Sequence, residues 1–144
     1  LNKYETVSTK GTRDFIKGTF AEDAFKKKIL VVDDSPTTRK VVVLTLLQKG
    51  YKIFEAQDGL EALSKIDSER PDLILLDVVL PKMDGYKILS IVKDNKELKQ
   101  IPVIMLTSKD GLINKVKGKL AGSAAYLTKP FDPKELIETV RKFI

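Results

Sequence analysis

The chain has 144 residues, of which 42% are hydrophobic and 32% charged, and its formal net charge is +6. This length and balance suit one globular domain with one hydrophobic core. Because the chain has no Cys and no His, disulfide bonds, thiol or histidine catalysis and Cys- or His-ligated metal sites are excluded. No apolar run approaches the roughly 18–20 residues of a membrane span, and the N-terminus is charged where a secretory signal is apolar. We therefore expect a cytoplasmic protein.

The first 28 residues do not follow the pattern of the rest of the chain. Their apolar residues between Phe15 and Phe25 could form a short amphipathic helix that packs on the domain or on a partner. A linker, or the end of a preceding domain, is the interpretation that we favour. We therefore predict an N-terminal extension or linker over residues 1–28 and a single domain over residues 29–144.

The basic residues are spread along the chain rather than gathered in one block, and part of the excess lies in the first 28 residues. Solvated surfaces explain most of this charge. Direct binding of DNA by this chain is therefore not expected.

From Lys28 onward, short apolar runs alternate with helical patterns. Strands are predicted at 29–32, 51–54, 73–76, 102–106 and 125–127, and helices at about 36–49, 59–69, 85–95, 110–121 and 133–143. Several of these strands are apolar on both faces, so that helices must cover both sides of the sheet. Five such βα units predict an α/β fold with a doubly wound parallel sheet.

Two helix ends are marked by the sequence. Gly50 suits the position just after the end of the first helix. Before the last helix, Asp132, Pro133 and Glu135 have the spacing of an N-cap, a first-turn proline and a capping-box glutamate.

Polar side chains follow the predicted strands at one edge of the sheet. They are Asp33 and Asp34 after the first strand, Asp77 after the third, Thr107 and Ser108 after the fourth, and Lys129 and Pro130 after the fifth. Ligands of parallel α/β sheets bind at the carboxyl ends of the strands, so we expect three carboxylates, a hydroxyl and an ammonium to converge. The alternative is that the strand-end aspartates only cap the helices that follow them.

This set of groups suits phosphoryl chemistry. Three carboxylates in one crevice repel each other unless a cation lies among them, and oxygen ligands without His or Cys favour Mg²⁺. A carboxylate can itself act as the nucleophile and form an aspartyl-phosphate. The lysine and the hydroxyl would then bind phosphoryl oxygens.

Residues 29–144 resemble the CheY-like receiver domains of bacterial two-component response regulators. The matching motifs are Val-Val-Asp-Asp-Ser at 31–35, Leu-Leu-Asp-Val-Val-Leu-Pro-Lys-Met-Asp-Gly at 75–85, Met-Leu-Thr-Ser at 105–108 and Leu-Thr-Lys-Pro-Phe at 127–131. The resemblance implies a flavodoxin-like sheet of five parallel strands in the order 2-1-3-4-5, with five helices.

The resemblance also implies a role for each matching residue. Asp77 is the implied phosphoacceptor, and Lys129 is the cation that pairs with the phosphoryl group. Asp33, Asp34, Asp77 and the main-chain carbonyl of Val79 are the implied Mg²⁺ ligands. Thr107 matches the switch hydroxyl and Tyr126 the aromatic residue that reorients on activation. Tyr126 also has a simpler interpretation, as a half-buried aromatic residue of a strand.

The implied partners are a histidine kinase or phosphotransfer protein and a downstream protein target that binds the face formed by residues 109–131. The chain would be a monomer or a phosphorylation-dependent dimer. The stretches 35–39 and 111–122 resemble single-domain regulators of twitching motility or phototaxis. Because an apolar Val79 cannot orient an attacking water, we expect slow self-dephosphorylation.

Four alternative functions make different demands on the sequence. Haloacid-dehalogenase-type phosphatases need a second aspartate where Val79 stands, and P-loop or dinucleotide-binding folds need a glycine-rich turn after the first strand, where Asp33 and Asp34 stand. A module that keeps the fold but signals without phosphorylation remains an alternative, as does a fragment of a DNA-binding regulator. Phosphorylation with acetyl phosphate distinguishes the former, and salt-dependent DNA binding the latter.

Overall fold

A computed structural model describes residues 25–108 and 122–144 of the protein. The elements in chain order are β1 (Lys28–Val32), α1 (Pro36–Leu47), β2 (Lys52–Ala56), α2 (Gly59–Glu69), β3 (Leu73–Asp77), α3 (Gly85–Asp94), β4 (Val103–Ser108), β5 (Ala125–Lys129) and α4 (Pro133–Arg141). The helix predicted at 110–121 and nearly all of the predicted extension over 1–28 lie outside the described residues. The described part therefore contains four of the five predicted helices.

The five strands form one parallel sheet in the order β2-β1-β3-β4-β5. This confirms the predicted α/β fold and its strand order. The chain runs from β1 outward to β2 and then returns to β3 on the other side of β1, so the direction of winding reverses between β1 and β3. A crevice opens at such a reversal, beyond the carboxyl ends of the two strands.

Helices cover both faces of the sheet, and each face has its own apolar layer. Alternate residues of β3, which is buried along its whole length, point to opposite layers. Leu76 packs in the layer that contains Ile66 of α2 and Ile88 of α3. Leu75 packs in the other layer, with Leu46 of α1 and Leu136 of α4. A strand that is buried on both faces has no solvated side, which is why its sequence is continuously apolar.

Each described helix begins with a side-chain cap. Ser35, Asp58, Asp84 and Asp132 accept a hydrogen bond from the backbone N–H three residues later, at the starts of α1, α2, α3 and α4. The cap predicted at Asp132 is confirmed. Because Ser35 caps α1, Asp33 and Asp34 are left for other roles.

Several predicted element ends were wrong by one or two residues. Helix α1 ends at Leu47, two residues before the predicted position, and Gly50 follows with φ of 88°. Strand β2 continues to Ala56 because Glu55 and Ala56 pair with the end of β1. Strands β4 and β5 continue to Ser108 and Lys129, which pair with each other.

None of the helices within the ranges 25–108 and 122–144 is long and apolar enough to cross a membrane.

Candidate functional site

The residues singled out in the sequence lie at the carboxyl edge of the sheet. Asp77 is the last residue of β3 and Lys129 the last residue of β5. Thr107 is in β4, one residue beyond the partner of Asp77, and Asp33 directly follows β1. The Asp33 N–H donates to the Ala56 carbonyl of β2, over 3.1 Å, so the backbone at Asp33 stays attached to the sheet.

Three carboxylates form the centre of this site. Asp33, Asp34 and Asp77 each place one oxygen within 4.8 Å of the other two. Asp33 is fully buried and Asp77 is only 7% exposed, whereas Asp34 is exposed. The pocket therefore has two fixed, inner carboxylates and one outer carboxylate that faces solvent.

Lys129 provides the positive charge at the base of the pocket. Its Nζ donates to Asp33 Oδ2 and to Asp77 Oδ2, each over 2.9 Å. Burial alone would lower the pKa of Lys129, but the hydrogen bonds and charges of Asp77 and Asp33 outweigh it and raise that pKa. Lys129 therefore stays charged, and its side chain connects the end of β5 to the ends of β1 and β3.

Asp77 is held by groups of its own loop as well. The Val79 N–H donates to Asp77 Oδ1 over 3.0 Å. The pKa of Asp77 is nevertheless raised, first because burial disfavours its charged form and further because of the negative charge of Asp33, while Lys129 and the Val79 N–H oppose the shift. A second cation close to Asp77 would stabilise the charged form of this buried carboxylate and so oppose the rise of its pKa.

Gly85 packs directly against the backbone of Asp77. A Cβ at Gly85 would overlap the Asp77 carbonyl oxygen and lie 3.0 Å from Val78 Cα. The Gly85 N–H also donates to the Val78 carbonyl over 2.9 Å. The first turn of α3 is thus fixed against the end of β3, and only glycine fits there.

The described residues fit a Mg²⁺ site. The donor set consists only of carboxylate oxygens, one carboxylate is open to solvent, and a cation among the three would relieve their mutual repulsion. The contribution of the Val79 carbonyl stays a prediction. The exposed position of the Val79 side chain, at 75%, leaves room for water at this side of the pocket.

Thr107 and Tyr126 lie behind the pocket. Thr107 is 3% exposed, and its hydroxyl donates to the Ser108 carbonyl over 3.3 Å. Tyr126 is half-buried against the apolar layer of α2 and α3, with its phenol oxygen 3.1 Å from that of Tyr86. Both the switch role and the simpler structural role of Tyr126 are compatible with this position.

Sequence reasoning assigned no role to Arg39, Glu55, Tyr86 or Gly85. Arg39 lies one helical turn after the aspartate pair and donates to the Asp33 carbonyl, while its second donor binds Glu55. The close packing of Gly85 against Asp77 could have been predicted, because Gly85 is the second residue of an Asp-Gly pair at the start of a helix and lies close to Asp77 in the sequence. The other three act through hydrogen bonds between distant segments, which no local pattern indicates.

Residues 29–141 match the family described as the response regulator receiver domain. The chain belongs to this family. It is 42% identical over 117 residues to the protein PilG of Pseudomonas aeruginosa, covering 81% of this chain and 87% of PilG. It is also 42% identical over 118 residues to the alkaline phosphatase synthesis transcriptional regulatory protein PhoP of Bacillus subtilis, covering 82% of this chain but only 48% of PhoP.

Solved receiver structures share the fold. The chemotaxis response regulator CheY4 of Vibrio cholerae superposes with a TM-score of 0.78 at 37% identity, covering 83% of this chain and 99% of CheY4. The protein is therefore a response regulator receiver of two-component signalling, and its pocket of Asp33, Asp34 and Asp77 fits a phosphoacceptor site with Mg²⁺. Receiver domains act as signalling switches.

Proposed function

We propose that Asp77 is the phosphoacceptor of this receiver domain and that a histidine kinase or phosphotransfer protein is the donor. The observation that carries this proposal is that Asp77, at the end of the central strand β3, accepts a hydrogen bond from Lys129 and has an oxygen within 4.8 Å of oxygens of Asp33 and Asp34. Asp33 is fully buried, and no lysine within residues 25–108 and 122–144 pairs with Asp34, so neither offers the same combination of a partly accessible oxygen and a paired ammonium.

The proposed reaction is a direct displacement at phosphorus. A carboxylate oxygen of Asp77 attacks, a new O–P bond forms, and the P–N bond of the donor phosphohistidine breaks with its electron pair on the imidazole nitrogen. Lys129, already 2.9 Å from Asp77 Oδ2, is placed to pair with a phosphoryl oxygen. The Val79 N–H holds the other carboxylate oxygen and so orients the nucleophile.

Asp33, Asp34 and Asp77, with the Val79 carbonyl, would hold Mg²⁺, which supplies positive charge for the transferred phosphoryl group. Asp33 is the most strongly positioned of these residues, because Ser35 N–H donates to its Oδ1 over 2.9 Å and Lys129 to its Oδ2. Asp34, which is exposed, would be the ligand on the solvent side of the ion.

The donor has an accessible approach to the pocket. An apolar groove between α1 and the loop that follows β5 is lined by Thr37, Val41, Lys129, Pro130 and Phe131. Val41 is 52% exposed. Apolar side chains of a donor protein can bury this surface while its phosphohistidine reaches Asp77.

The proposed output is a change in a protein-binding surface. The new charge, about −1.5 to −2 near neutral pH, needs additional hydrogen-bond donors. The Thr107 hydroxyl would turn from the Ser108 carbonyl to the phosphoryl group, and Tyr126 would turn into the space that Thr107 leaves. The downstream target would bind the face of residues 109–131, part of which lies outside the described residues.

The remaining assignments are also proposals. We place the receiver, over residues 29–144, in the cytoplasm with its kinase, and assign residues 1–28 to an extension or linker. The assignment to motility or phototaxis, the absence of DNA binding, slow self-dephosphorylation and a monomer or phosphorylation-dependent dimer stay predictions.

The test is phosphorylation by a small-molecule donor. The full chain is incubated with Mg²⁺ and acetyl phosphate, and the intact mass is measured for the wild type, Asp77→Asn and Asp84→Asn. Asp84 is the matched control because it lies in the same loop and caps α3, a role that Asn also fills. We expect one phosphoryl group on the wild type and on Asp84→Asn, and none on Asp77→Asn.

Beryllofluoride serves as the second arm of this experiment. Its binding should require Mg²⁺ and Asp77 and should alter the NMR signals of Thr107 and Tyr126. If the wild type takes up neither phosphate nor beryllofluoride while a known receiver does so under the same conditions, the protein is instead a module that signals without phosphorylation.

A further inference from the structure

We infer that Arg39, oriented by Glu55, is a positioning residue that sets the divalent-cation affinity of the acidic pocket. This inference rests on the proposed function, because it assigns a role to a residue outside the ligand set. Arg39 Nη1 donates to the Asp33 carbonyl over 2.6 Å, and Arg39 Nε donates to Glu55 Oε1 over 3.0 Å. The Arg39 side chain is only 17% exposed.

The bond to the Asp33 carbonyl acts on Asp34. That carbonyl belongs to the peptide unit that joins Asp33 to Asp34, and a peptide unit is planar. Fixing its oxygen therefore fixes the plane from which the Asp34 side chain leaves the backbone. The Asp33 side chain has its own restraints from Ser35 and Lys129.

Asp34 has fewer restraints than its neighbour. Among the described residues, no hydrogen bond or ion pair holds its carboxylate, although one of its oxygens lies within 4.8 Å of oxygens of Asp33 and Asp77. Its position in the cluster therefore depends on the backbone. Arg39 is a side chain that holds this backbone, through the Asp33 carbonyl.

The two donors of Arg39 connect three elements of the fold. Arg39 lies in the first turns of α1, Asp33 follows β1, and Glu55 belongs to β2, where it pairs with Val31. The planar guanidinium offers both donors at a fixed angle, whereas the single ammonium of lysine does not. By accepting from Nε, Glu55 therefore determines the orientation of the Arg39 guanidinium.

The positive charge of Arg39 weakens cation binding, whereas its positioning of Asp34 strengthens it. A guanidinium near three carboxylates competes with a divalent ion by Coulomb repulsion. If charge alone mattered, removing Arg39 would increase metal affinity, and replacing it by lysine would change nothing. If position matters more, both replacements weaken metal binding.

The experiment measures Mn²⁺ binding to the full chain by electron paramagnetic resonance, with Mg²⁺ as competitor and no phosphodonor. The variants are Arg39→Lys, which keeps the charge, Arg39→Met, which removes it, and Glu55→Gln, which leaves Arg39 without its charged partner. Arg70→Lys is the control, because Arg70 makes a similar 3.0 Å ion pair with Glu97 at the other end of the sheet.

We expect Arg39→Lys to weaken Mn²⁺ binding about tenfold or more, as loss of a residue that orients a metal ligand commonly does. Arg39→Met should weaken it less, because the lost repulsion offsets part of the loss. Glu55→Gln should have a smaller effect in the same direction, and Arg70→Lys none. Unchanged binding by Arg39→Lys, or tighter binding by Arg39→Met, would overturn the inference.

Two further readouts separate positioning from general destabilisation. In the metal-free protein, the amide NMR signals of Asp34 and Ser35 should shift in Arg39→Lys and not in Arg70→Lys, at a temperature at which both variants are fully folded. Saturating Mg²⁺ should restore most of the phosphorylation rate with acetyl phosphate. A rate that stays low at saturating Mg²⁺ would contradict an effect on affinity.

The inference and the proposed function fail in different ways. If the wild type binds Mn²⁺ and is phosphorylated but Arg39→Lys behaves identically, only the role of Arg39 is wrong. If the wild type binds no Mn²⁺, the proposed metal site itself is wrong. The same conclusion follows if Asp77→Asn and Asp34→Asn bind Mn²⁺ as tightly as the wild type does.

Discussion

The phenol oxygens of Tyr86 and Tyr126 lie 3.1 Å apart and join the first turn of α3 to strand β5. Tyr86 is 8% exposed and directly follows Gly85, which packs against the Asp77 backbone. Burial, together with the hydrogen bond between Tyr86 and Tyr126, raises the pKa of Tyr86 well above its ordinary value. The pair therefore links the loop that follows Asp77, the proposed phosphoacceptor, to Tyr126, the residue proposed to reorient.

Tyr86→Phe should destabilise the unphosphorylated protein and change the orientation of Tyr126. Removing one hydroxyl from a partly buried hydrogen bond costs about 0.5–1.5 kcal/mol, measured as the change in the free energy of unfolding in urea. Tyr51→Phe is the control, because Tyr51 packs in the other apolar layer and directly precedes β2, which is at the opposite edge of the sheet from β5.

The effect on the switch is measured separately. With less holding Tyr126 in place, its ring NMR signals in the unphosphorylated variant should move toward those of the beryllofluoride-bound wild type. If they do not move while the stability falls as expected, the Tyr86–Tyr126 bond stabilises the fold without biasing the switch.

The layers of the fold were predictable because they depend on local patterns. The continuous apolar run of β3 predicted a strand buried on both faces, and every residue of β3 is buried. Asp132 and Glu135 predicted the start of α4 because capping uses side chains only three residues apart. Where an element ended because of its neighbour, as β5 does at Lys129 by pairing with Ser108, the segment alone did not show it.

The candidate site was predictable for a related reason. Its residues stand at strand ends, and parallel strands bring their carboxyl ends to one edge, so Asp77 and Lys129 could be placed together although they are 52 positions apart. The role of Arg39 was not predictable, since it depends on a backbone carbonyl and on a glutamate 16 positions away. Such bonds are not reflected in the composition or the periodicity of the sequence.

Gly85→Ala should destabilise the domain and reduce phosphorylation of Asp77. The added methyl group would meet two backbone groups, the Asp77 carbonyl and Val78 Cα, which cannot turn away as a flexible side chain can. Overpacking of this kind costs about 1–3 kcal/mol, measured by urea unfolding, and it should displace Asp77. Gly50→Ala is the control: at φ of 88° it is strained as well, but nothing lies within 4 Å of its added methyl group. Its phosphorylation rate should therefore stay at the wild-type value.

Asp33→Asn and Asp34→Asn should differ in stability but not in metal binding. Asp33 is fully buried and ion-paired with Lys129, so its replacement should cost about 1–3 kcal/mol. Asp34 is exposed, so its replacement should change stability by less than about 0.5 kcal/mol. Both should weaken Mn²⁺ binding in the paramagnetic resonance assay. Normal Mn²⁺ affinity in Asp34→Asn would remove it from the ligand set.

Val79→Asn should shorten the lifetime of the phosphorylated protein. The Val79 side chain is 75% exposed beside the pocket, and an apolar group there cannot hydrogen-bond an attacking water, whereas an amide can. The backbone N–H that donates to Asp77 Oδ1 is unchanged by the substitution. The loss of the phosphoryl group is followed by intact mass after the donor is removed. Val79→Ala, which stays apolar, should decay at the wild-type rate; if it decays as fast as Val79→Asn, bulk rather than water orientation controls hydrolysis.

Lys129→Met should make the stability of the metal-free protein depend more strongly on pH. The pKa of Lys129 is raised above its ordinary 10.5, so its stabilising contribution is fully present below that value and is lost only as the pH rises through the folded-state pKa. The pKa of Asp77 is raised above 3.8, so ionisation of Asp77 reduces stability as the pH rises from that value. Without Lys129 the pKa of Asp77 should rise further, because the ammonium opposes that shift.

The loss in the free energy of unfolding caused by Lys129→Met should accordingly be small near the pH at which Asp77 is protonated and should grow toward neutral pH. Leaving two buried carboxylates without their cation should cost about 3 kcal/mol there, measured by urea unfolding from pH 4 to pH 8. Lys87→Met, which removes the same charge from an exposed position of α3, should give a pH profile parallel to that of the wild type. Saturating Mg²⁺ should restore more stability to Lys129→Met than it adds to the wild type, since the ion then replaces the missing positive charge. Equal stabilisation of both proteins by Mg²⁺ would mean that the ammonium and the ion do not neutralise the same carboxylates.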